Sequence, residues 1–128
     1  MAEEPAPQLV MVAGPNGSGK STLIATLRAA PDLQLPAQYI NADDIQRLEK
    51  LTSQAAQATA TARRETAIAH GESLLYETVM SHPSKVAELQ TAIKRGYETT
   101  VFFVATNKGF QYISCVESRF RTLCKSIV

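Results

Sequence analysis

Residues 10–22 read VMVAGPNGSGKST, and this stretch sets the reading of everything around it. The apolar run from Leu9 to Val12 has the continuity of a buried strand, and it passes directly into a glycine-rich segment. Gly14, Gly19, Lys20 and Ser21 fit the spacing G-x-x-x-x-G-K-[ST], with Gly17 as a further glycine inside the loop. Ser21 to Ala30 then read as a helix that Pro31 stops. Glycine adopts positive φ and carries no Cβ, so such a loop can curl tightly and turn successive N–H groups inward. An amide nest of this kind, backed by the unpaired N–H groups of a helix start, binds phosphate oxygens. In this reading Gly14, Pro15, Asn16, Gly17, Ser18 and Gly19 form the cradle for a nucleotide. Lys20 reaches its β- and γ-phosphates and the Ser21 hydroxyl ligates Mg²⁺. Thr22 supports the α-phosphate or starts the helix. The alternative is a strand-to-helix turn without a ligand, and the strand before and helix after the motif weigh against it.

Bulk properties bound the rest. The chain of 128 residues is sized for a single core, read here as one domain over 8–128 behind an acidic, proline-rich lead at 1–7 expected to be disordered. Hydrophobic residues at 45% and charged residues at 20% are ordinary for a globular protein. Thirteen basic and twelve acidic residues leave a net charge of +1, which argues against a general nucleic-acid or membrane-surface partner. The opening MAEEPAPQ has the wrong charge for a secretory signal, and no apolar run approaches membrane-spanning length, so a cytoplasmic location is expected. Cys115 and Cys124 are too few and too poorly spaced for a metal site or a disulfide framework, and read as reduced, partly buried thiols. His70 and His82 stand alone, His82 as a turn or capping residue.

Beyond the loop, strands and helices alternate. AQYINADDI gives a short strand ending near Ile40, and Ile45 to His70 reads as helical, with Ile45, Leu48, Thr52, Ala55, Thr59 and Ala62 on one face and Gly71 at its end. The Ala/Thr/Gln-rich centre of that segment should pack weakly and could break. SLLYETVM is a third strand. PSKVAELQTAIKRG is a helix with Ser84 as a candidate cap and Val86, Leu89 and Ile93 inward, and TTVFFVAT is a fourth strand covered on both faces. A last helix is expected from about Phe110, facing the core with Ile113, Val116, Phe120 and Leu123. The pattern predicts an α/β fold, a doubly wound and mostly parallel sheet with helices on both faces. Ligands of such sheets sit beyond the carboxyl ends of the strands. Here those ends carry the loop, then Asn41, Asp43 and Asp44, then Glu77 and Thr78, then Thr106 and Asn107.

Phosphoryl transfer to a hydroxyl needs a carboxylate beside the acceptor. Asp43 and Asp44 compete for that role, one expected to cap the following helix while the other faces the crevice. Glu77 interrupts an apolar run, where an unpaired charge is costly, so it should have a partner or a ligand.

Together AGPNGSGKST, INADDI, YETVMSHPSKVAELQTAIKRGY and TVFFVAT resemble the zeta-toxin family of P-loop kinases, over roughly residues 8–121. The resemblance implies ATP- or GTP-dependent, Mg²⁺-assisted phosphorylation of a small molecule, best known for UDP-N-acetylglucosamine at its 3′-hydroxyl, and an antitoxin protein as partner. It implies Lys20 on the β- and γ-phosphates, Ser21 on the magnesium, Asp43 as the base for the acceptor hydroxyl, and Glu77 with Thr78 on the sugar side. Members of the family continue past the fourth strand with an arginine-bearing helix and a lid. This sequence has Cys115 where an arginine is expected, keeps Arg119 and Arg121, and reads as a C-terminally short relative, with Arg119 the candidate phosphate contact. Two alternatives stay open. One is a relative that binds nucleotide without efficient transfer, and the other is a different nucleoside or sugar kinase.

Overall fold

A computed structural model describes residues 6–15, 19–30, 34–78, 84–105, 111–117 and 122–126, with the backbone alone at 84–86, 103, 105 and the last two segments. The elements run β1 (Gln8–Ala13), α1 (Lys20–Ala29), β2 (Tyr39–Ile40), α2 (Ala42–Glu49), α3 (Ser53–Ala69), β3 (Leu74–Thr78), α4 (Ser84–Lys94), β4 (Glu98–Ala105), β5 (Gln111–Glu117) and β6 (Thr122–Ser126). They form one sheet of order β2-β3-β1-β4-β5-β6. The first four strands in that order are parallel, as expected, and the last two add in antiparallel sense.

Strand β1 shows why the sheet is covered on both sides. Successive side chains point to opposite faces. Leu9, Met11 and Ala13 join α2, α3 and α4 in one buried cluster, through Ile45, Ala56, Ala60, Ala67, Leu89 and Ala92. Val10 and Val12 join Leu23 and Ile24 of α1 in another, together with Leu75, Phe102 and Val104. Helix α1 therefore lies on one face and α2, α3 and α4 on the other, the doubly wound arrangement. The chain leaves β1 toward β2 across one face and leaves neighbouring β3 toward β4 across the opposite face. The two connections diverge at the carboxyl ends of β1 and β3, which opens a crevice there.

Two helices end alike. At the end of α3, Gly71 N–H donates to Ile68 O at 3.2 Å and Glu72 N–H to Ala67 O at 2.9 Å. At the end of α4, Gly96 N–H donates to Ile93 O at 3.0 Å and Tyr97 N–H to Ala92 O at 3.0 Å. Both are Schellman closures, and the left-handed glycines (φ 70 and 90) supply the conformation that they require. Buried Tyr97 then shares its hydroxyl proton between the carbonyls of Ala67 and Glu72, tying the two ends together.

Four expectations are corrected. The helix read over 45–70 is two helices, because Lys50 adopts a left-handed conformation (φ 54) and Thr52 caps a fresh start by accepting from Ala55 N–H. The inward residues of α3 are consequently Ala56, Ala60, Arg64, Ala67 and Ile68, not Ala55, Thr59 and Ala62. Leu48, expected on the buried face, is 76% exposed. In α4, Leu89 is buried as expected, Ile93 only half-buried, and Ala92 takes the deepest position.

The largest difference lies beyond β4. The expected helix from Phe110 is instead β5 and β6, with Val101 opposite Cys115 and Cys115 opposite Cys124. Short apolar runs are ambiguous between the two periods. QYISCVE is rich in aromatic and β-branched residues that suit a pleated surface, and the free edge of β4 supplies a ladder for them. Phe120 falls outside the described residues.

Candidate functional site

The loop after β1 is anchored before it turns. Gly14 N–H donates to the Thr78 carbonyl at 3.1 Å, so the first residue of the motif is fixed to the end of β3. Gly19 sits at φ 97, ψ 20 as the N-cap of α1, in the left-handed conformation that a side chain would oppose. It offers no side chain to cap the helix, and the first turn holds no acidic residue. The amides opening α1 therefore keep their donors and their partial positive charge for an anion. Lys20 is buried, 9% exposed, and its Nζ donates to Gly14 O at 2.5 Å and Pro15 O at 3.2 Å. The ammonium is held over the loop's own carbonyls. Ser21 and Thr22 are exposed in the first turn, and the Thr22 carbonyl accepts from Thr26 Oγ1 at 2.9 Å. Asn16, Gly17 and Ser18 lie outside the described residues, as does Arg119.

This donor set fits a nucleotide phosphate chain. It also fits magnesium, which keeps several waters and takes few protein ligands beside the phosphates. One hydroxyl from Ser21 is enough for that pattern. Among the described residues no group of three or more His, Cys, Asp or Glu could hold a metal by itself.

The second wall comes from β2 and β3. Ile40 is the register partner of Tyr76, and Val12 that of Glu77, which brings Asn41, Glu77 and the start of the loop to one level of the sheet. Asn41, not an aspartate, caps α2: its Oδ1 accepts from Asp43 N–H at 2.8 Å. Asp43 and Asp44 both lie in the first turn, where carboxylates suit the helix dipole. Their side chains differ. Asp44 pairs with Arg47 at 3.0 Å, whereas exposed Asp43 has no side-chain partner among the described residues.

Half-buried Glu77 has the partner that its apolar setting demands. The Tyr39 hydroxyl donates to Glu77 Oε2 and accepts from Asn41 Nδ2 at 3.0 Å. Burial raises the Tyr39 phenol well above its ordinary pKa, and the hydrogen bond and negative charge of Glu77 add to the shift. The Arg28 guanidinium stands 5.9 Å from the Tyr39 ring centroid. The sequence reading missed Tyr39. The pair spans 38 positions, and no local spacing reports it.

The reading also missed Arg64 and Glu88, which form a buried ion pair at 2.7 Å, with side chains 4% and 12% exposed. Arg64 lies 4.7 Å over the ring of Tyr76, whose buried hydroxyl has no hydrogen-bond partner among the described residues. This cluster belongs to the α3–α4 packing. The groove of about 420 Å³ beside it runs past Ile68 and Arg95, toward the amino ends of the strands and away from the loop.

A glycine loop between β1 and α1, a lysine at the helix start and carboxylates on the neighbouring strand ends define a kinase-like P-loop α/β protein. The Zeta toxin family profile matches residues 1–125, and the chain belongs to that family. Solved structures agree on the fold. The crystal structure of a candidate kinase from Chloroflexus aurantiacus j-10-fl is 23% identical, with a TM-score of 0.53 over 73% of this chain and 58% of that one. A chain of the Pnkp1/Rnl/Hen1 complex is 18% identical, with a TM-score of 0.59 over 82% of this chain and 38% of that one. The chain thus spans less than two thirds of either neighbour. No curated protein matches it. Among the described residues no helix is long and apolar enough to cross a membrane.

Proposed function

We propose that the protein is a cytoplasmic Mg²⁺-dependent kinase that transfers the γ-phosphoryl group of ATP or GTP to a hydroxyl of a small molecule. A nucleotide sugar of the UDP-N-acetylglucosamine type is the acceptor to test first, and an antitoxin protein would be its regulator. The observation that carries the reading is the division of labour on the rim. The start of α1 has amides that no side chain caps and a held ammonium, while on α2 the exposed Asp43 has no side-chain partner among the described residues.

In this reading the amides of Asn16 to Gly19, those opening α1 and the Lys20 ammonium hold the β- and γ-phosphates, with Lys20 exchanging its carbonyl partners for phosphate oxygens. Ser21 is the protein ligand to magnesium, which would neutralise developing charge when bound. Asp43 accepts the proton of the acceptor hydroxyl as that oxygen bonds to the γ-phosphorus and the bond to the β–γ bridging oxygen breaks. Glu77 and Thr78 hold the acceptor. A second reading, nucleotide binding without efficient transfer, is favoured by β5, which occupies the place where the family resemblance implies an arginine-bearing helix.

The deciding experiment follows phosphate from γ-labelled ATP and GTP onto a panel of nucleotide sugars, nucleosides and sugars, alongside nucleotide titrations with and without Mg²⁺. Transfer that disappears in Asp43→Asn supports the first reading, and the accepted compound names the substrate. Tight Mg²⁺-dependent binding with no transfer supports the second. Absence of binding overturns both.

A further inference from the structure

Asp43 and Glu77 come from different elements, and the side chains of Tyr39 and Asn41 link them. We propose that Tyr39 is a positioning residue that sets the base and the acceptor-binding carboxylate at a fixed separation; this rests on the function proposed above. Its hydroxyl donates to Glu77 Oε2 and accepts from Asn41 Nδ2, and Asn41 Oδ1 in turn accepts from the Asp43 amide. The result is a continuous chain of hydrogen bonds from the end of β3, through the last strand residues of β2, to the first turn of α2.

Each link has one role. The phenol oxygen donates to Glu77 and so has only its lone pairs left for Asn41, which fixes which way the Asn41 amide points. With Nδ2 committed to Tyr39, Oδ1 is left to face the helix start and hold the Asp43 N–H. A carboxylate is a strong acceptor, and a hydrogen bond to a charged group is stronger than one between neutral groups. The groups around the phenol agree with a neutral donor. Glu77 faces it from β3, Asn41 and Asp44 from the start of α2, and Arg28 covers the ring from α1. Glu77 and Asp44 both oppose ionisation of the hydroxyl. The short strand β2 is what makes the link possible, because Tyr39 pairs with Leu75 two residues before Glu77.

The test is Tyr39→Phe in the full chain, which keeps the ring and removes the hydroxyl. Amide hydrogen exchange by NMR at neutral pH reads the Asp43 N–H directly. The Ala55 N–H, capped by Thr52 Oγ1 at 3.1 Å, serves as an internal control. Expected are Asp43 exchange faster by up to about ten-fold, on the scale of one lost neutral hydrogen bond, and unchanged exchange at Ala55. In transfer assays the acceptor KM should rise by a similar factor, while the Kd for Mg·nucleotide stays within about two-fold. Glu77→Gln is the companion variant. Its amide oxygen can still accept from Tyr39, so Asp43 protection should persist while acceptor binding falls. Unchanged Asp43 exchange in Tyr39→Phe overturns the proposal whatever the activity. Faster exchange with an unaltered acceptor KM also overturns it, since the link would then be structural only. If the unchanged chain transfers phosphate to no hydroxyl at all, the functional reading fails first, and the positioning role falls with it even where the exchange result holds.

Discussion

Lys20 carries two duties that a single substitution can separate. Its ammonium holds the carbonyls of Gly14 and Pro15, and in the proposed complex the same charge meets the β- and γ-phosphates. Lys20→Ala should weaken Mg·ATP binding by about ten-fold or more, the scale of charge-assisted hydrogen bonds, while circular dichroism shows the fold retained. Isothermal titration of the two proteins checks it, and equal affinities would remove the phosphate-loop reading. The aspartates separate in the same manner. Asp43→Asn should abolish transfer and spare nucleotide binding. Asp44→Asn loses only an exposed pair with Arg47, so it should cost about 1 kcal/mol or less in urea unfolding. The turn from β1 into α1 was legible in the sequence because its parts are adjacent; the Tyr39–Glu77 contact was not, because the fold alone brings those positions together.

Helices α3 and α4 test how far patterning reaches. Arg64 stands on the inward face of α3 among alanines, a position that polarity alone would give to an apolar residue. It is tolerated because Glu88 of α4 meets it with two hydrogen bonds at 2.7 and 3.4 Å, and because the guanidinium lies over Tyr76. Glu88→Ala leaves a buried guanidinium without its counter-charge and should cost about 3–5 kcal/mol. The double variant Arg64→Met, Glu88→Leu should recover most of that loss, because apolar replacements of a buried pair are often neutral or better. Chemical denaturation of the three proteins decides it; a double variant as unstable as the single one would show that the pair itself is indispensable. This packing was only half readable. The small side chains of QAAQATATA mark no face, and the left-handed turn at Lys50 starts α3 afresh at Thr52, so the inward positions of α3 cannot be counted on from Ile45. The four parallel strands were readable because their apolar runs are short, separate and bounded by turn residues. The pairing of β5 and β6 was not, since the short apolar run there suits either period and the edge of β4 that pairs with it lies elsewhere in the chain.

The order β2-β3-β1-β4 has a consequence for how the molecule comes into being. Strand β1 is made before both of its ladder partners, β3 and β4, whose residues lie at 74–78 and 98–105. Strand β2 pairs only with β3 and cannot reach β1 directly. A nascent chain that ends before Leu74 therefore holds two apolar strands with no hydrogen-bonded neighbour for either, and closing the sheet must wait for distant segments, the slow kind of contact. The glycine loop is written early, and the proposed nucleotide site would be complete only late. Ribosome-stalled chains of increasing length should remain open to protease through residue 73. They should gain protection, and with it retention on immobilised ATP, only once β4 has left the exit tunnel. Protection of a shorter chain would mean that β1 finds a partner outside its final sheet. Until β3 arrives, the Leu9–Val12 segment is the part of the newborn protein most in need of a chaperone.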